Sequence, residues 1–250
     1  MFSKQKLKYV NSLQIKKFRQ EHQAFLVEGA KSVLELLNSD FEVEMLLVTP
    51  QFFDENKIIL KKFLPEILET TELEKIGTLQ SNNAAIAVAK MKENKPLICN
   101  ENEHILVLDD IKDPGNLGTI IRIADWYNIR KIICSEYTVE VYNPKVISAT
   151  MGSFTRINLY YCDLQKYLQQ IAGGEPHNQV VIGTFLDGIN IHHFDFPKSG
   201  YIVFGNEANG ISAEIEKLIS WKITIPKFGN AESLNAGIAA AVVLDNLRRK

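Results

Sequence analysis

Cysteine is scarce in this 250-residue sequence, and the three cysteines that occur lie far apart. Neither a C-x-x-C pair nor a histidine at metal-ligand spacing accompanies Cys99, Cys134 or Cys162. This distribution is typical of reduced, partly buried thiols in a cytosolic protein.

Long apolar runs are also missing. No run reaches the roughly 18 residues that a membrane-spanning helix needs. The basic start of the chain leads into polar residues rather than into the apolar region of a signal peptide. We therefore expect a cytoplasmic protein without a membrane segment.

Several common catalytic patterns do not occur. The absence of G-x-G-x-x-G and of the Walker pattern disfavours a nucleotide-dependent oxidoreductase and a P-loop enzyme. A hydrolase is disfavoured because G-x-S-x-G is absent and the five histidines lack evident carboxylate and nucleophile companions. His192 and His193 would point apart as neighbours in an extended loop, so we predict no metal site.

Net charge is small, at −2, but the basic residues are unevenly placed. A group of them precedes the first acidic residue, Glu21: Lys4, Lys6, Lys8, Lys16, Lys17 and Arg19. Two interpretations stay open for this basic run, a solvated helix face and a contact surface for nucleic acid.

The first part of the chain predicts a compact α/β unit. We expect strands at 24–28, 43–48, near 67 and at 85–89. We expect helices at 3–19, 31–37 and 56–63, with a helical turn at 72–76. The charged stretch 90–96 contains Pro96 and has the composition of a linker. The predicted organisation is an N-terminal domain at 1–92, a linker at 93–103 and a second domain at 104–250.

The second domain predicts alternating strands and helices. Apolar strands are expected at 105–108, 131–134, 157–161, 180–184, 201–204 and 222–225. Helices are expected at 117–126, 144–151, 164–171, 213–219 and 234–248. This alternation indicates a mostly parallel sheet covered on both faces, with ligands at the carboxyl ends of the strands.

The last of these strand ends carries the most unusual stretch. Pro226 stops the strand, a glycine-containing loop follows, and Ser233 is a good N-cap for the final helix. Gly237 costs that helix about 1 kcal/mol relative to alanine, so we expect close backbone approach there.

Two other loops carry polar residues at strand ends. Asp109-Asp-Ile-Lys-Asp-Pro-Gly-Asn-Leu-Gly118 leads into a helix, as a phosphate-binding loop would, and Asn116 is also an N-cap candidate. Arg122 follows in that helix, where a surface salt bridge is the alternative to a functional role. Glu207 lies in the loop Phe204-Gly-Asn-Glu-Ala-Asn-Gly-Ile-Ser212, and no structural role is evident for its carboxylate.

Taken in order, three segments resemble the three motifs of the SpoU (TrmH) branch of the SPOUT RNA methyltransferases. They are Asp113-Pro-Gly-Asn-x-Gly-x-x-x-Arg122, Phe204-Gly-Asn-Glu-x-x-Gly210 and Ile225-Pro followed by Glu232-Ser-Leu-Asn235. The N-terminal unit resembles the small substrate-binding domain that precedes the catalytic domain in many members.

The resemblance implies a trefoil-knotted α/β catalytic domain that forms a homodimer. It also implies methyl transfer from S-adenosyl-L-methionine to a ribose 2′-hydroxyl of ribosomal or transfer RNA. By the same resemblance, the cofactor pocket comprises Thr184, Gly205, Ile225 and Leu234. The polar, catalytic set comprises Asn116, Arg122, Glu207, Ser233 and Asn235.

A guanidinium group stays protonated in proteins, so we expect Arg122 to hold a phosphate rather than to act as a base. Glu207 and Asn116 would orient the site. Ile123 and Gly237 depart modestly from the family pattern. The alternative is a non-catalytic RNA-binding protein that keeps the SPOUT fold.

Overall fold

The computed structural model describes residues 2–78, 82–173 and 179–249. In chain order the elements are α1 Lys4–Ser12, α2 Lys16–His22, β1 Ala24–Glu28, α3 Ala30–Leu37, β2 Val43–Val48, α4 Pro50–Glu55, α5 Lys57–Leu60, β3 Glu66–Ile67, α6 Thr70–Leu73, β4 Ala85–Lys90, β5 His104–Leu108, α7 Pro114–Trp126, β6 Lys131–Ser135, α8 Pro144–Thr150, β7 Asn158–Cys162, α9 Leu164–Gly173, β8 Val181–Phe185, β9 Ile189–Asn190, β10 Gly200–Phe204, α10 Ala213–Glu216, β11 Trp221–Thr224 and α11 Ala236–Arg248. None of the helices formed by the described residues is both long and apolar enough to cross a membrane.

The described residues form two compact units. The first comprises Met1–Glu93 and Glu140–Thr155, and the second comprises Asn94–Val139 and Arg156–Lys250. The sequence predicted a continuous second domain at 104–250 and did not anticipate that Glu140–Thr155 belongs to the first unit. The apolar side chains of Ile147 and Phe154 explain this, because both are buried in the core of the first unit.

The first unit is built on a mixed sheet in the order β1-β4-β2-β3, with β4 antiparallel to both of its neighbours. Successive side chains of a strand point to opposite faces, and β4 shows this alternation clearly. Ala85, Ala87 and Ala89 face one apolar cluster, and Ile86 and Val88 face the other. The strand is therefore covered on both faces.

The basic run at the start of the chain is not a single solvated surface. The predicted helix 3–19 is divided into α1 and α2, and Arg19 is only 2% exposed. Its guanidinium forms an ion pair with Glu140 and donates to the Leu13 carbonyl at 2.8 Å. Lys6 forms an ion pair with Glu66. Neither cation is therefore a free part of the predicted nucleic-acid contact.

The second unit confirms the predicted mostly parallel sheet. The order is β7-β6-β5-β10-β8-β11-β9, and all registered neighbours are parallel. The strand order reverses its direction along the chain between β5 and β10. All residues of these two strands are buried. The two-residue strand β9 was not predicted from the sequence.

Helices α7 and α11 pack against each other, and Gly237 lies at their contact. A Cβ added at Gly237 would lie 2.8 Å from Cγ2 of Thr119 on α7. The expected close approach at this glycine is therefore present, and its partner is a helix side chain.

Candidate functional site

Four neighbouring strands bring the polar loops together. In the sheet order β5-β10-β8-β11 every adjacent pair is parallel, so the carboxyl ends of these strands meet at one edge. The loop that begins at Asp109 thus lies beside the loop that begins at Gly205. The loop after β8 and the loop that begins at Ile225 follow along the same edge.

The start of α7 decides between the two interpretations of Asn116, as a helix cap or as a site residue. Asp113, not Asn116, is the N-cap, and its Oδ1 accepts a hydrogen bond from the Asn116 backbone nitrogen at 2.8 Å. Pro114 occupies the first helical position, where its missing N–H costs nothing. Because Asp113 caps the helix, the amide side chain of Asn116 is available for another contact.

That side chain is the centre of a hydrogen-bonded chain through all three motif loops. Asn116 Nδ2 donates to Glu207 Oε1 at 2.5 Å, and Asn235 Nδ2 donates to Asn116 Oδ1 at 2.7 Å. Asn235 Oδ1 accepts from the backbone nitrogens of Gly237 at 2.9 Å and Ile238 at 3.3 Å. The structure therefore joins Glu207, Asn116 and Asn235 to the beginning of α11.

The end of the third loop also corrects the sequence analysis. Asn235 is the N-cap of α11, whereas Ser233, which we predicted in that position, is exposed and precedes the helix. Ser233 does line the cavity described below. Ser233 thus lines the same cavity as Glu207 without being part of the hydrogen-bonded chain.

Residues that the sequence analysis did not single out hold the second loop in place. Asn206 Nδ2 donates to the Asp110 carbonyl at 2.7 Å, and Asp109 Oδ2 accepts from the Ser212 backbone nitrogen at 2.7 Å. Asp110 has a left-handed backbone with φ of 60°. Two consecutive aspartates directly after a buried strand were the available signal for this role.

A cavity of about 860 Å³ opens beside these loops. Its lining includes all residues predicted to bind the cofactor: Thr184, Gly205, Ile225 and Leu234. Glu207 also lines it. The Thr184 hydroxyl donates to the Val203 carbonyl at 3.0 Å, so its remaining capacity is as an acceptor.

The loop at Gly205 is too tight for a side chain. A Cβ added there would lie 2.1 Å from the carbonyl carbon of Gly210, and paired backbone hydrogen bonds of 2.9 Å join Asn206 to Gly210. A glycine is required at this point, so Gly205 can offer the cavity only its backbone groups.

Arg122 is not brought into the hydrogen-bonded chain. It is exposed on α7, six residues after Asn116 and therefore roughly 9 Å farther along the helix axis. Within the described part of the chain it has neither a hydrogen-bond nor an ion-pair partner. Lys112 and Lys227, in the first and third loops, are likewise exposed without such a partner there. The site thus combines a fixed carboxylate with unpaired cations.

None of the three cysteines lines the cavity. All three cysteines are free. Burial raises the pKa of the Cys134 thiol, and it raises that of Cys162 to about 12, so both stay protonated at neutral pH. Among residues 2–78, 82–173 and 179–249, no group of three or more histidine, cysteine or acidic side chains is arranged to hold a metal ion.

Two family models match the chain. The SpoU rRNA Methylase family matches residues 103–245, and the MRM3-like substrate binding domain matches residues 4–87. The matched ranges correspond to most of the two predicted domains.

Individual relatives are similar over almost the whole chain. The 23S rRNA (guanosine(2553)-2′-O)-methyltransferase RlmP of Bacillus subtilis is 29% identical, covering 98% of this chain and 96% of the relative. The crystal structure of an rRNA methyltransferase from Sinorhizobium meliloti, bound to S-adenosylmethionine, has a TM-score of 0.86 and 26% identity, covering 100% and 96% of the two chains. A protein of the TrmH family from Porphyromonas gingivalis has a TM-score of 0.86 and 31% identity, covering 100% and 99%.

Proposed function

The chain belongs to the SpoU rRNA methylase family, and from that premise we propose that it methylates a ribose 2′-hydroxyl of ribosomal RNA. The methyl donor is S-adenosylmethionine, as in the bound relative from Sinorhizobium meliloti. The observation that carries the proposal is the hydrogen-bonded chain Glu207–Asn116–Asn235, which joins all three motif loops beside one cavity.

The cavity suits the donor in size and in chemistry. Its volume of about 860 Å³ falls in the range of ligand pockets, roughly 300–1,000 Å³. Ile225 and Leu234 offer apolar contacts, and the tight loop at Gly205 offers backbone groups. We assign these residues and Thr184 to the cofactor pocket. When bound, S-adenosylmethionine supplies the methyl group that is transferred.

The polar residues position the acceptor. A hydroxyl is a weak nucleophile until its proton is drawn off, and transfer then depends chiefly on alignment of the reacting atoms. Glu207, held at one carboxylate oxygen by Asn116, would accept a hydrogen bond from the 2′-hydroxyl through the other. Ser233 would contact the same ribose. Arg122 would hold the adjoining phosphate with its planar set of donors.

The first unit would supply much of the RNA affinity. Four lysines of the basic run are exposed and have neither a hydrogen bond nor an ion pair within the described residues: Lys4, Lys8, Lys16 and Lys17. Lys31, at the start of α3, is also exposed. Cations of this kind contact phosphates, which makes binding salt-dependent and largely independent of sequence. We place this activity in the cytoplasm, where its ribosomal substrate is found.

We further propose a homodimer built through the second unit. Trp126 on α7 and Ile238 on α11 are exposed large apolar residues on two helices that pack together. A symmetric contact with a second copy would cover both.

Glu207→Gln tests the proposed chemistry. The substitution keeps the shape of the side chain but removes the charge, and the amide can turn an N–H toward the hydroxyl. We expect the turnover number for RNA to fall about 100-fold, the scale of a misplaced reacting group, while the affinity for S-adenosylmethionine stays within twofold. The measurements are tritiated methyl transfer to unmodified 23S rRNA and calorimetric titration of the cofactor.

Glu214→Gln is the matched control, since Glu214 is exposed on α10 and has no hydrogen bond or ion pair among the described residues. Wild-type rates for Glu207→Gln would contradict the role of this carboxylate. A wild-type protein that binds RNA but transfers no methyl group would instead favour the non-catalytic alternative.

A further inference from the structure

Phe228 is the most exposed aromatic side chain of the candidate site. It is 94% exposed in the loop between β11 and α11, and no other ring packs against it in the described part of the chain. A single exposed apolar residue needs no explanation by itself. This one, however, lines the same cavity as Glu207 and Ser233.

Its neighbour adds a charge. Lys227 also lines the cavity and is exposed, with no hydrogen-bond or ion-pair partner among residues 2–78, 82–173 and 179–249. An unpaired cation next to an unstacked aromatic ring is the combination with which proteins hold single-stranded nucleic acid. The cation attracts the phosphate, and the ring offers a face to a base.

The position of the loop fits this use. It begins at Ile225, in the predicted cofactor pocket, directly after β11, and it ends at Asn235, the N-cap of α11 and a member of the hydrogen-bonded chain. A ribose presented to Glu207 therefore lies beside this loop, and its own or its neighbouring base has to leave the stack of an RNA helix. Unstacked bases in RNA complexes are commonly covered by aromatic side chains.

On the basis of the proposed function, we propose that Lys227 and Phe228 form a nucleotide clamp for the RNA substrate. The Phe228 ring stacks on a base at or next to the methylated nucleotide, and Lys227 binds a backbone phosphate beside it. Both residues are substrate-binding groups and take no part in the methyl transfer itself.

Two other binding partners for the Phe228 ring, the cofactor and a second copy of the chain, are less well supported. The cofactor has apolar contacts elsewhere in the cavity, from Ile225 and Leu234. A second copy of the chain has the exposed apolar residues of α7 and α11. The cofactor carries a single carboxylate, whereas an RNA backbone presents a phosphate beside every base, so RNA can satisfy the ring and the Lys227 ammonium group at the same time.

Phe228→Ala, Phe228→Leu and Phe228→Trp separate stacking from simple apolar contact. With unmodified in vitro transcribed 23S rRNA, we expect Phe228→Ala to raise KM about 5- to 150-fold, the range for loss of one stacked base. Phe228→Leu removes the flat ring and should behave like Phe228→Ala. Phe228→Trp keeps a stacking face and should stay within about threefold of the wild type.

Lys227→Ala should also raise KM and should reduce the slope of log affinity against log salt concentration by about 1. The control for the loss of an exposed apolar side chain is Ile98→Ala. Ile98 is exposed and precedes β5, at the amino-terminal edge of the sheet. Calorimetric titration of S-adenosylmethionine and sedimentation velocity accompany each variant. Both are expected to match the wild type.

An unchanged KM for Phe228→Ala would overturn the clamp. A weakened cofactor affinity with unchanged KM for RNA would assign the ring to the cofactor, and a change in sedimentation would assign it to a subunit contact. Failure of the wild-type protein to methylate any RNA would instead overturn the proposed function, and the clamp with it. The wild-type measurement therefore distinguishes the two failures.

Discussion

At the scale of single residues, the orientation of the Asn116 amide is fixed by its neighbours. Glu207 is acceptor-only when ionised, so the NH2 group of Asn116 faces it and the Asn116 carbonyl oxygen faces Asn235. Asn235 then donates its own NH2 group to that oxygen and uses its carbonyl oxygen as the helix cap. A carboxylate in one loop thereby determines the amide orientations in the other two.

Arg122 offers the sharpest test of substrate contact at this scale. We expect Arg122→Ala to abolish detectable methyl transfer to RNA, because a phosphate would lose its planar set of donors. The cofactor affinity should stay within a few fold, since Gly205, Ile225 and Leu234 are untouched. Arg122→Lys should rescue little, because an ammonium group is a point charge. Tritiated methyl transfer and cofactor calorimetry are the measurements.

Arg130→Ala is a suitable control for the loss of an arginine, because Arg130 is half-exposed and its ion pair with Asp125 is long, at 3.6 Å. Such a surface pair contributes little to stability. If Arg122→Ala methylated RNA at the wild-type rate, Arg122 would have no role in the reaction.

The sequence predicted several of the residues that meet around the cavity, but it did not identify the residues that cap the two helices. Asn116 and Ser233 are both good N-cap residues, yet Asp113 and Asn235 are the caps. Local rules cannot choose between two good caps a few residues apart. The Asn116 amide instead donates to Glu207, which is 91 residues away in the chain and is therefore invisible to local rules.

At the scale of elements, the contact between α7 and α11 aligns the first and third loops. Alanine at position 237 would gain about 1 kcal/mol of helix propensity. Its Cβ would lie 2.8 Å from Thr119 Cγ2, and overpacking of this kind costs about 1–3 kcal/mol. The Thr119 side chain is stiff at χ1, so it has little freedom to yield. We expect Gly237→Ala to lower the free energy of unfolding by about 1 kcal/mol, measured by urea denaturation.

Thr119→Ser supplies the control for this steric argument because it removes Cγ2 and keeps the hydroxyl. The double variant should recover most of the loss, with a coupling energy of about 0.5–3 kcal/mol in the double-mutant cycle. Additive effects of the two substitutions would mean that the clash does not decide the stability of Gly237→Ala.

Elements that are buried on both faces were predictable, and marginal ones were not. The runs around β5 and β10 are apolar throughout, and their predicted bounds agree with the structure to within one residue. Strand β9 has only two residues, which is too short to show an alternation of apolar and polar side chains. The attachment of Glu140–Thr155 to the first unit was also hidden, because apolar residues such as Phe154 do not reveal which core they join.

At the scale of the whole molecule, the discontinuous first unit decides how RNA binding can be tested. Deleting the residues before Lys90 would expose Ile147 and Phe154, which are buried in that unit. A loss of RNA binding in the truncated protein could then result from misfolding and not from the missing contacts. Lys16→Ala/Lys17→Ala avoids this, since both side chains are exposed. We expect weaker RNA binding and a salt slope reduced by about 0.7–0.9 for each lysine that contacts a phosphate.

The matched control is Lys61→Ala/Lys62→Ala, a second pair of adjacent exposed lysines in the same unit. Filter binding of 23S rRNA at several salt concentrations measures both pairs. Equal effects of the two pairs would mean that total charge, and not position, sets the affinity for RNA. The basic run would then be a solvated surface and not an RNA contact.

The proposed contact between two copies of the chain gives the last prediction for the whole molecule. Trp126 is 84% exposed and Ile238 is 53% exposed, and burial of large aromatic residues dominates the energetics of such interfaces. We expect the purified protein to sediment as a dimer at micromolar concentration. Trp126→Glu should shift it to a monomer, because a charge would be buried at the symmetric contact without a partner. Ile58→Glu, at a 91% exposed position of the first unit, should leave the dimer intact. A wild-type monomer with full methyl-transfer activity would show that α7 and α11 do not form this contact.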